Sequence, residues 1–390
     1  MLIADRSGSG RALVAGFLLV FLAACSTSST ATPEALSSSP GTTVSGSPTT
    51  PAPNTDDPAT WSDSRLAAEL VFAAAQMPQL ANAVSWARAG IAGLVLMDTP
   101  GKNLKQQLTK IRAASPGSRL MIGSDEEGGQ VQRLTAVLGA LPPAATVGRT
   151  MSPEQAQQLA QRYGKSMKAL GLNVSFAPDA DIAVPGSFIA TEQRAFSPDP
   201  VTDAKYVTAW NTGLRDAGVM GVLKHWPGHG SSKDTHVGSG TTPDWSVMKG
   251  RDLVPFTAGL ADGACAVMIG HLIVPGLTEP GLPASMSPTA LKTLRQQVGP
   301  NRLIMADSVA MGAVTEAMGQ TQTQAALKTL IAGADVALLK TPEPLPVVHG
   351  IAAAIRSGAL PREQAITSAR RVLAAAAQWS MTSPNGTRCN

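Results

Sequence analysis

The sequence predicts a single (β/α)8 TIM-type barrel, with one strand irregular or missing, preceded by a signal peptide and a disordered linker. Three observations carry this. From about residue 62 to residue 380, short apolar runs alternate with amphipathic stretches and no Ser/Pro-rich break intervenes. Each run is apolar on both alternating faces, as in strands buried within a parallel sheet. Polar residues recur at the carboxyl end of nearly every run: Asp98, Asp125, Asp179 with Asp181, Lys224 with His225, His271, Asp307 and Lys340. In an open doubly wound sheet only the strands at the switch point would gather such residues, whereas a barrel brings them all to one mouth.

The elements follow in order. Arg6 and Arg11 precede the apolar run 12–24, which stops at Cys25 and is too short for an ordinary spanning helix, so residues 1–24 read as a signal peptide. "LAAC" (22–25) resembles a bacterial lipobox, which implies lipidation of Cys25, an anchor in the cell membrane and an extracytoplasmic location. Residues 25–61 are dominated by Ser, Thr, Pro, Ala and Gly, lack the apolar side chains that offset ordering entropy, and read as a disordered tether. Residues 62–380 form the barrel, and 381–390 a polar tail.

Within the barrel, strands are expected in "GLVLMD" (93–98), "RLMIGSD" (119–125), "LNVSFAPDADI" (172–182), "GVMGVLKHWPG" (218–228), "CAVMIGHL" (265–272), "RLIMADS" (302–308) and "ADVALLK" (334–340). "VFAAAQMPQ", near residue 75, supplies the eighth or is helical. Helices are expected over 103–115, 153–171, 199–218 and 287–299, with Ser152, Asp199 and Ser287 as N-terminal caps and Gly171, Gly218 and Gly299 as stops.

Composition narrows the function. The net charge of +4 is a near-balance of 31 basic and 27 acidic residues, and no basic run interleaved with aromatics supports nucleic-acid binding. "GSDEEGG" (123–129) ends in two glycines, but its carboxylates would repel a pyrophosphate and no G-x-G-x-x-G opens the next helix, so no nucleotide cofactor is expected. Cys265 lies in an apolar run and Cys389 in the polar tail, so the two are not expected to pair.

"KHWPGHGSSKDTH" (224–236) holds three of the five histidines. Read as a metal site, it places His225 and His229 four apart, but Pro227 and Gly228 forbid the regular helix that would set both on one face. It can also be a structural turn whose histidines are satisfied by backbone groups. A third reading is an acid–base pair, in which Asp234 fixes the tautomer of His236 on a Gly/Ser-rich loop.

This stretch closely resembles the "KH-aromatic-PGHG…D-S-H" segment of family 3 glycoside hydrolases of the β-N-acetylglucosaminidase branch. "GSDEEGGQVQRL" (123–134), "SFAPDADI" (175–182), "TEQRAFSPDP" (191–200) and "IMADSVAMGAV" (304–314) resemble further motifs of that family, in order, over roughly residues 65–375. The resemblance implies a retaining exo-β-N-acetylglucosaminidase with Asp307 as nucleophile, His236 as general acid/base and Asp234 orienting it. Asp125, Arg133, Arg194, Lys224 and His225 match positions that hold the sugar, while His271 and Asp181 are assigned to the pocket wall and its support. Ser308 and Trp226 depart from the pattern, where aspartate and phenylalanine are usual, and Ser308 bears on how Asp307 is hydrogen-bonded.

The implied substrates are N-acetylglucosamine-containing cell-wall fragments, acted on by a monomer without metal or other cofactor. A histidine on a glycine-rich loop is free to move in when substrate binds. A neutral imidazole repels anions less than a carboxylate would, which keeps phosphorolysis open beside hydrolysis. An inactive sugar-binding lipoprotein is the alternative of another class.

Overall fold

The computed structural model describes residues 56–383 and 385–389. The expected signal peptide, Cys25 and most of the expected tether lie outside the described residues.

Eight parallel strands close into a barrel in sequence order: β1 (Val71–Gln76), β2 (Gly93–Met97), β3 (Met121–Ser124), β4 (Val174–Ser175), β5 (Met220–Trp226), β6 (Ala266–Ile269), β7 (Leu303–Ser308) and β8 (Val336–Leu339). Pairing of Phe72 with Leu338 shuts the ring between β1 and β8. "VFAAAQ" is therefore a strand, and the irregular member is β4. Its regular part is two residues long because Pro178, with no N–H, interrupts the ladder. Single contacts carry the pairing on: Phe176 N–H donates to Ser124 O at 3.0 Å and Val222 N–H to Ala177 O at 3.1 Å.

A helix follows each strand: α2 (Ala83–Ala89), α3 (Leu104–Ala114), α4 (Pro153–Leu170), α5 (Pro200–Asp216), α6 (Leu253–Ala261), α7 (Pro288–Val298), α8 (Gln322–Ala332) and α9 (Pro344–Ser357), with α1 (Asp63–Glu69) before β1 and α10 (Arg362–Gln378) at the end. The expected caps form. Ser152 and Gln155 make a reciprocal capping box at α4, and Asp199 and Ser287 accept from Thr202 N and Ala290 N. Each such cap contributes roughly 1 kcal/mol. In α4 the buried residues Ala156, Ala160, Tyr163, Gly164 and Met167 keep the helical period on one face, which docks on α5.

Strand parity decides what faces the barrel axis. Phe72, Val95, Met121, Phe176, Met220, Val222, Leu303, Met305, Val336 and Leu338 form one interior cluster, while Leu94, Ile122, Leu223, Ile304 and Leu339 pack outward under the helices. Phe72 and Phe176 meet edge to face at 6.3 Å between centroids. Gly93 makes room for them, since a Cβ there would lie 2.3 Å from the Phe72 ring. Carried two or four residues past this cluster, the same parity turns Gln76, Asp125, Lys224, Asp307 and Lys340 toward the mouth.

Two expectations fail. Cys265 and Cys389 form a disulfide across 124 residues, with Cα atoms 5.1 Å apart. The tail doubles back under the barrel: Gly386 N–H donates to Arg215 O, Cys389 N–H to Gly263 O, and Arg388 pairs with Asp262 at 2.8 Å. A polar tail is a poor core segment, but here backbone and charge contacts bring it to Cys265. The folded body also begins before residue 62. Asp56 pairs with Arg119 at 2.7 Å, Asp57 with Arg370 at 3.0 Å, and Asp57 caps the turn Pro58–Thr60. These residues look like linker by composition and are held by arginines far along the chain.

Candidate active site

The mouth of the barrel encloses a cavity of about 430 Å³, a size suited to one sugar ring and part of a second. Asp125, Arg133, Arg194, Lys224 and His225 line it, as do His236 and Asp307. Asp234 stands behind His236. Among the strand-end polar residues, Asp98 is exposed and does not line this cavity, whereas Lys340 does.

One wall grows from the loop after β3. Glu126 is buried and accepts hydrogen bonds from Ser124 Oγ (2.5 Å), Tyr163 Oη (2.6 Å) and the backbone N–H groups of Arg133 and Leu134 (each 3.2 Å). With Glu126 pinned inward, alternation along the strand turns Asp125 and Glu127 to the other face, toward the mouth. There Lys224 Nζ lies 2.8 Å from Asp125 and 2.5 Å from Glu127. Arg194 contacts Glu127 through Nε (2.7 Å) and Nη2 (3.0 Å) and lies 3.1 Å from Asp179; Arg133 is 3.9 Å from Asp125.

These charges are mutually determined. Burial would raise the Glu127 carboxyl, but Arg194 and Lys224 hold it down at about 2. Burial raises Asp179, to about 7, against the pull of Arg194. Lys224 keeps its proton despite burial because Asp125, Glu127 and Asp179 surround it.

His225 donates through Nδ1 to Asp181 at 2.8 Å, and that pairing raises its proton affinity in spite of burial. Asp181 also accepts from His229 N–H at 2.6 Å. Asp307 ends β7. Burial would raise its carboxyl, but His225, His271, the Ser308 N–H (2.7 Å) and Lys224 lower it below the ordinary carboxylate range. His271 is anchored between Ser285 Oγ (2.6 Å) and Ser308 O (2.9 Å), which supports the pocket wall from beneath. At the departure Ser308 the backbone N–H serves Asp307, while its buried Oγ has no hydrogen-bond partner among the described residues.

The opposite side is a loop. His229 braces it, bonded through Nδ1 to Ser232 Oγ (2.9 Å) and through Nε2 to Thr235 Oγ1 (3.1 Å). Asp234 accepts from both the backbone N–H (2.9 Å) and the Nδ1 (2.7 Å) of His236, which leaves Nε2 as the ring's other nitrogen. Burial of Asp234 is outweighed by these contacts, so its carboxyl is held low. The loop rests on the turn that follows β7: Ala313 N–H donates to Thr235 O at 3.1 Å and Gly312 N–H to His236 O at 3.2 Å. A Cβ on Gly312 would lie 2.6 Å from His236 O. The histidine expected to arrive with substrate thus already lines the cavity, latched to the segment that carries Asp307.

Sequence reasoning missed Glu127, which contacts both Arg194 and Lys224; its signal was its alternation with Asp125 in "SDEEGG". Asp179, Asp181 and His225 place ligand atoms within 4.8 Å of one another. As a metal site this donor set fits poorly, because Arg194 and Lys224 face Asp179 while His225 and His229 occupy Asp181.

Comparison with known proteins points the same way. The glycosyl hydrolase family 3 N-terminal domain matches residues 71–375. Beta-hexosaminidase LpqI of Mycobacterium tuberculosis is 38% identical over 274 residues, 68% of this chain and 70% of that protein. A beta-hexosaminidase of Stenotrophomonas maltophilia is 37% identical over 266 residues, 65% of this chain and 77% of the other. A GH3-family glycosyl hydrolase from Mycobacterium smegmatis superposes with a TM-score of 0.74 at 33% identity, covering 82% of this chain and 98% of that one. A family 3 β-N-acetylglucosaminidase from a Paenibacillus species gives 0.75 at 25% identity, covering 84% and 64%. With the closed barrel and the charged mouth, these matches identify the chain as a member of glycosyl hydrolase family 3 and as a glycoside hydrolase.

Proposed function

We propose that this protein is a retaining exo-β-N-acetylglucosaminidase that removes terminal N-acetylglucosamine from cell-wall saccharides. The observation that carries the reading is one cavity lined by an ionised, half-buried Asp307 and, over it, a histidine oriented by Asp234. The names of the relatives supply the sugar. Arg133, Arg194 and Lys224 would grip hydroxyls and the acetyl carbonyl, and the apolar side chains of Val131, Phe188 and Met311 offer contact for the methyl group.

In the first step the Asp307 carboxylate attacks the anomeric carbon, the glycosidic bond breaks, and the leaving oxygen takes the proton from His236 Nε2. In the second, neutral His236 removes a proton from water, whose oxygen attacks the same carbon and releases Asp307. Asp234 steadies the imidazolium in the first step and the tautomer in the second. Two inversions at one carbon give net retention.

The location is part of the proposal. A disulfide between Cys265 and Cys389 suits an oxidising compartment, in keeping with the lipobox at Cys25. The first test is release of the chromophore from an aryl β-N-acetylglucosaminide, with the anomer of the released sugar read by NMR. Retained configuration and a loss of about 10⁴-fold in kcat for Asp307→Ala are expected. Inverted product, or full turnover by the variant, would reject the assignment.

A further inference from the structure

The mouth and the base of the barrel carry opposite charge. From the tip of each strand through the first four residues of the helix that follows, the described residues hold sixteen carboxylates and nine lysines and arginines. The base comprises the last four residues of each helix with the turn that follows, together with α10, the tail, Asp56 and Asp57. It holds twelve lysines and arginines and seven carboxylates. Two of those seven are buried: Asp335 is shared between Arg295 and Arg371, and burial pushes the Glu69 carboxyl up to about 7. Arg112, Lys168 and Arg302 spend donors on backbone carbonyls, among them Gly171 O, Gly218 O and Leu260 O. The crowding of cations shows at Lys168, which burial and then the nearby Arg112 push down to about 8.

Helix α10 makes the base one continuous surface. It runs from the start of β8, where Ser368 Oγ donates to Asp335 at 3.0 Å, to the start of β4 across the ring, where Asn173 Nδ2 donates to Trp379 O at 2.8 Å. Val372, Ala375, Ala376 and Trp379 seal the interior from below, which leaves Arg370 exposed on the outer side. Arg88 and Arg356, also exposed, end α2 and α9 at this base, and Arg388 stands on the tail. The folded chain begins on the same face, since Asp56 pairs with Arg119 before β3 and Asp57 with Arg370 on α10. Thirty residues separate Cys25 from Asp56, so an anchor at Cys25 joins the barrel on the side opposite the mouth. A link of that length reaches about 100 Å when extended, and by itself it sets neither contact with a bilayer nor orientation.

We propose that the base is a docking face for the anionic headgroups of a phospholipid surface and that the mouth opens away from the membrane. Arg88, Arg356, Arg370 and Arg388 meet the phosphates, while the acidic mouth is repelled. The inference rests on the membrane location proposed above and adds the orientation, which leaves the catalytic cavity open to saccharides beyond the bilayer.

The test treats the full chain, reconstituted in vesicles of phosphatidylglycerol or of phosphatidylcholine, with phenylglyoxal and reads the modified arginines by mass spectrometry. Arg88 and Arg356 are expected to react about five-fold more slowly on phosphatidylglycerol, as for one cation held near an anionic surface. Salt at about 0.5 M should remove the difference. Arg149, exposed on the mouth side, should react alike on both lipids. Arg88→Glu with Arg356→Glu brings the base close to neutral and should free Arg370 from protection, whereas Lys102→Glu, at the mouth, should not. Equal reaction of Arg88 and Arg356 on the two lipids, or protection of Arg149 in their place, overturns the proposal. Protection by a soluble poly(glycerol phosphate) but not by vesicles also overturns it, because the face then belongs to an anionic polymer. Failure of the membrane location shows separately, as a chain whose mass lacks acyl groups at Cys25. The same labelling of that chain with added vesicles still reads the face, and equal reaction on the two lipids rejects it.

Discussion

At the β3–β5 side of the mouth Lys224 is 2% exposed and lies within 4 Å of three carboxylates, whereas over β7 the His236 side chain is 61% exposed and bonded to one. The first region is fixed by buried charges that pair with one another, Glu127 with both Arg194 and Lys224. The second is fixed by a few backbone contacts and a short carboxylate–imidazole pair. Recognition of a sugar ring needs rigid groups at set distances. A proton donor that serves two steps gains from water access. The same mouth meets both demands by burying one set of groups and leaving the other at the surface.

The largest effect should come from breaking the buried side. Glu127→Gln keeps the shape but leaves Arg194 and Lys224 short of a counter-charge, which is expected to cost about 3–5 kcal/mol of stability. It should raise KM for the aryl glycoside more than it lowers kcat. Denaturant unfolding and steady-state kinetics check both, and a variant with native stability and KM would show that the network is not what holds the clamp.

A smaller effect is expected on the loop side. Gly312→Ala places a methyl group against His236 O and should push the loop off its support. Turnover of substrates with poor leaving groups should fall by about ten-fold, a fraction of what a positioned acid–base group contributes. Inhibition by free N-acetylglucosamine should change little. Equal losses in both would mean that the two sides are not separable.

The third effect, absent at neutral pH, is in pH dependence. Burial, then the neighbouring His225, holds His229 down at about 4. An unfolded histidine titrates near ~6.5, so below that pH the unfolded chain binds a proton that the folded one refuses. The stability contributed by neutral His229 is complete above ~6.5 and is lost as pH falls toward 4, with a slope of up to about 1.4 kcal/mol per pH unit. His229→Gln should flatten that part of the stability curve; an unchanged slope would mean that His229 titrates normally.

Much of this was legible in the sequence, for local reasons. Apolar runs gave the strands, Ser152, Asp199 and Ser287 cap their helices, and alternation along each strand delivers Asp125, Lys224 and Asp307 to one mouth. What stayed hidden depends on distant partners. Glu127 sits beside Asp125 and Glu126 in one acidic cluster, and only the burial of Glu126 against Tyr163 shows which of the three turn inward. The Cys265–Cys389 pairing and the ordered start at Asp56 rest on contacts with segments over 60 residues away. Hydrophobic pattern does not carry that information.

The division of labour is tested most directly by leaving-group dependence. In His236→Ala, N-acetylglucosaminides with a poor leaving group should be cleaved about 10²–10⁴-fold more slowly, while the glycosylation step on a dinitrophenyl glycoside, which needs no proton, should stay close to that of the unaltered protein. Asp307→Ala should lose both alike. Equal slowing of the two substrates by His236→Ala would contradict the account, because the exposed histidine would then not be the proton donor.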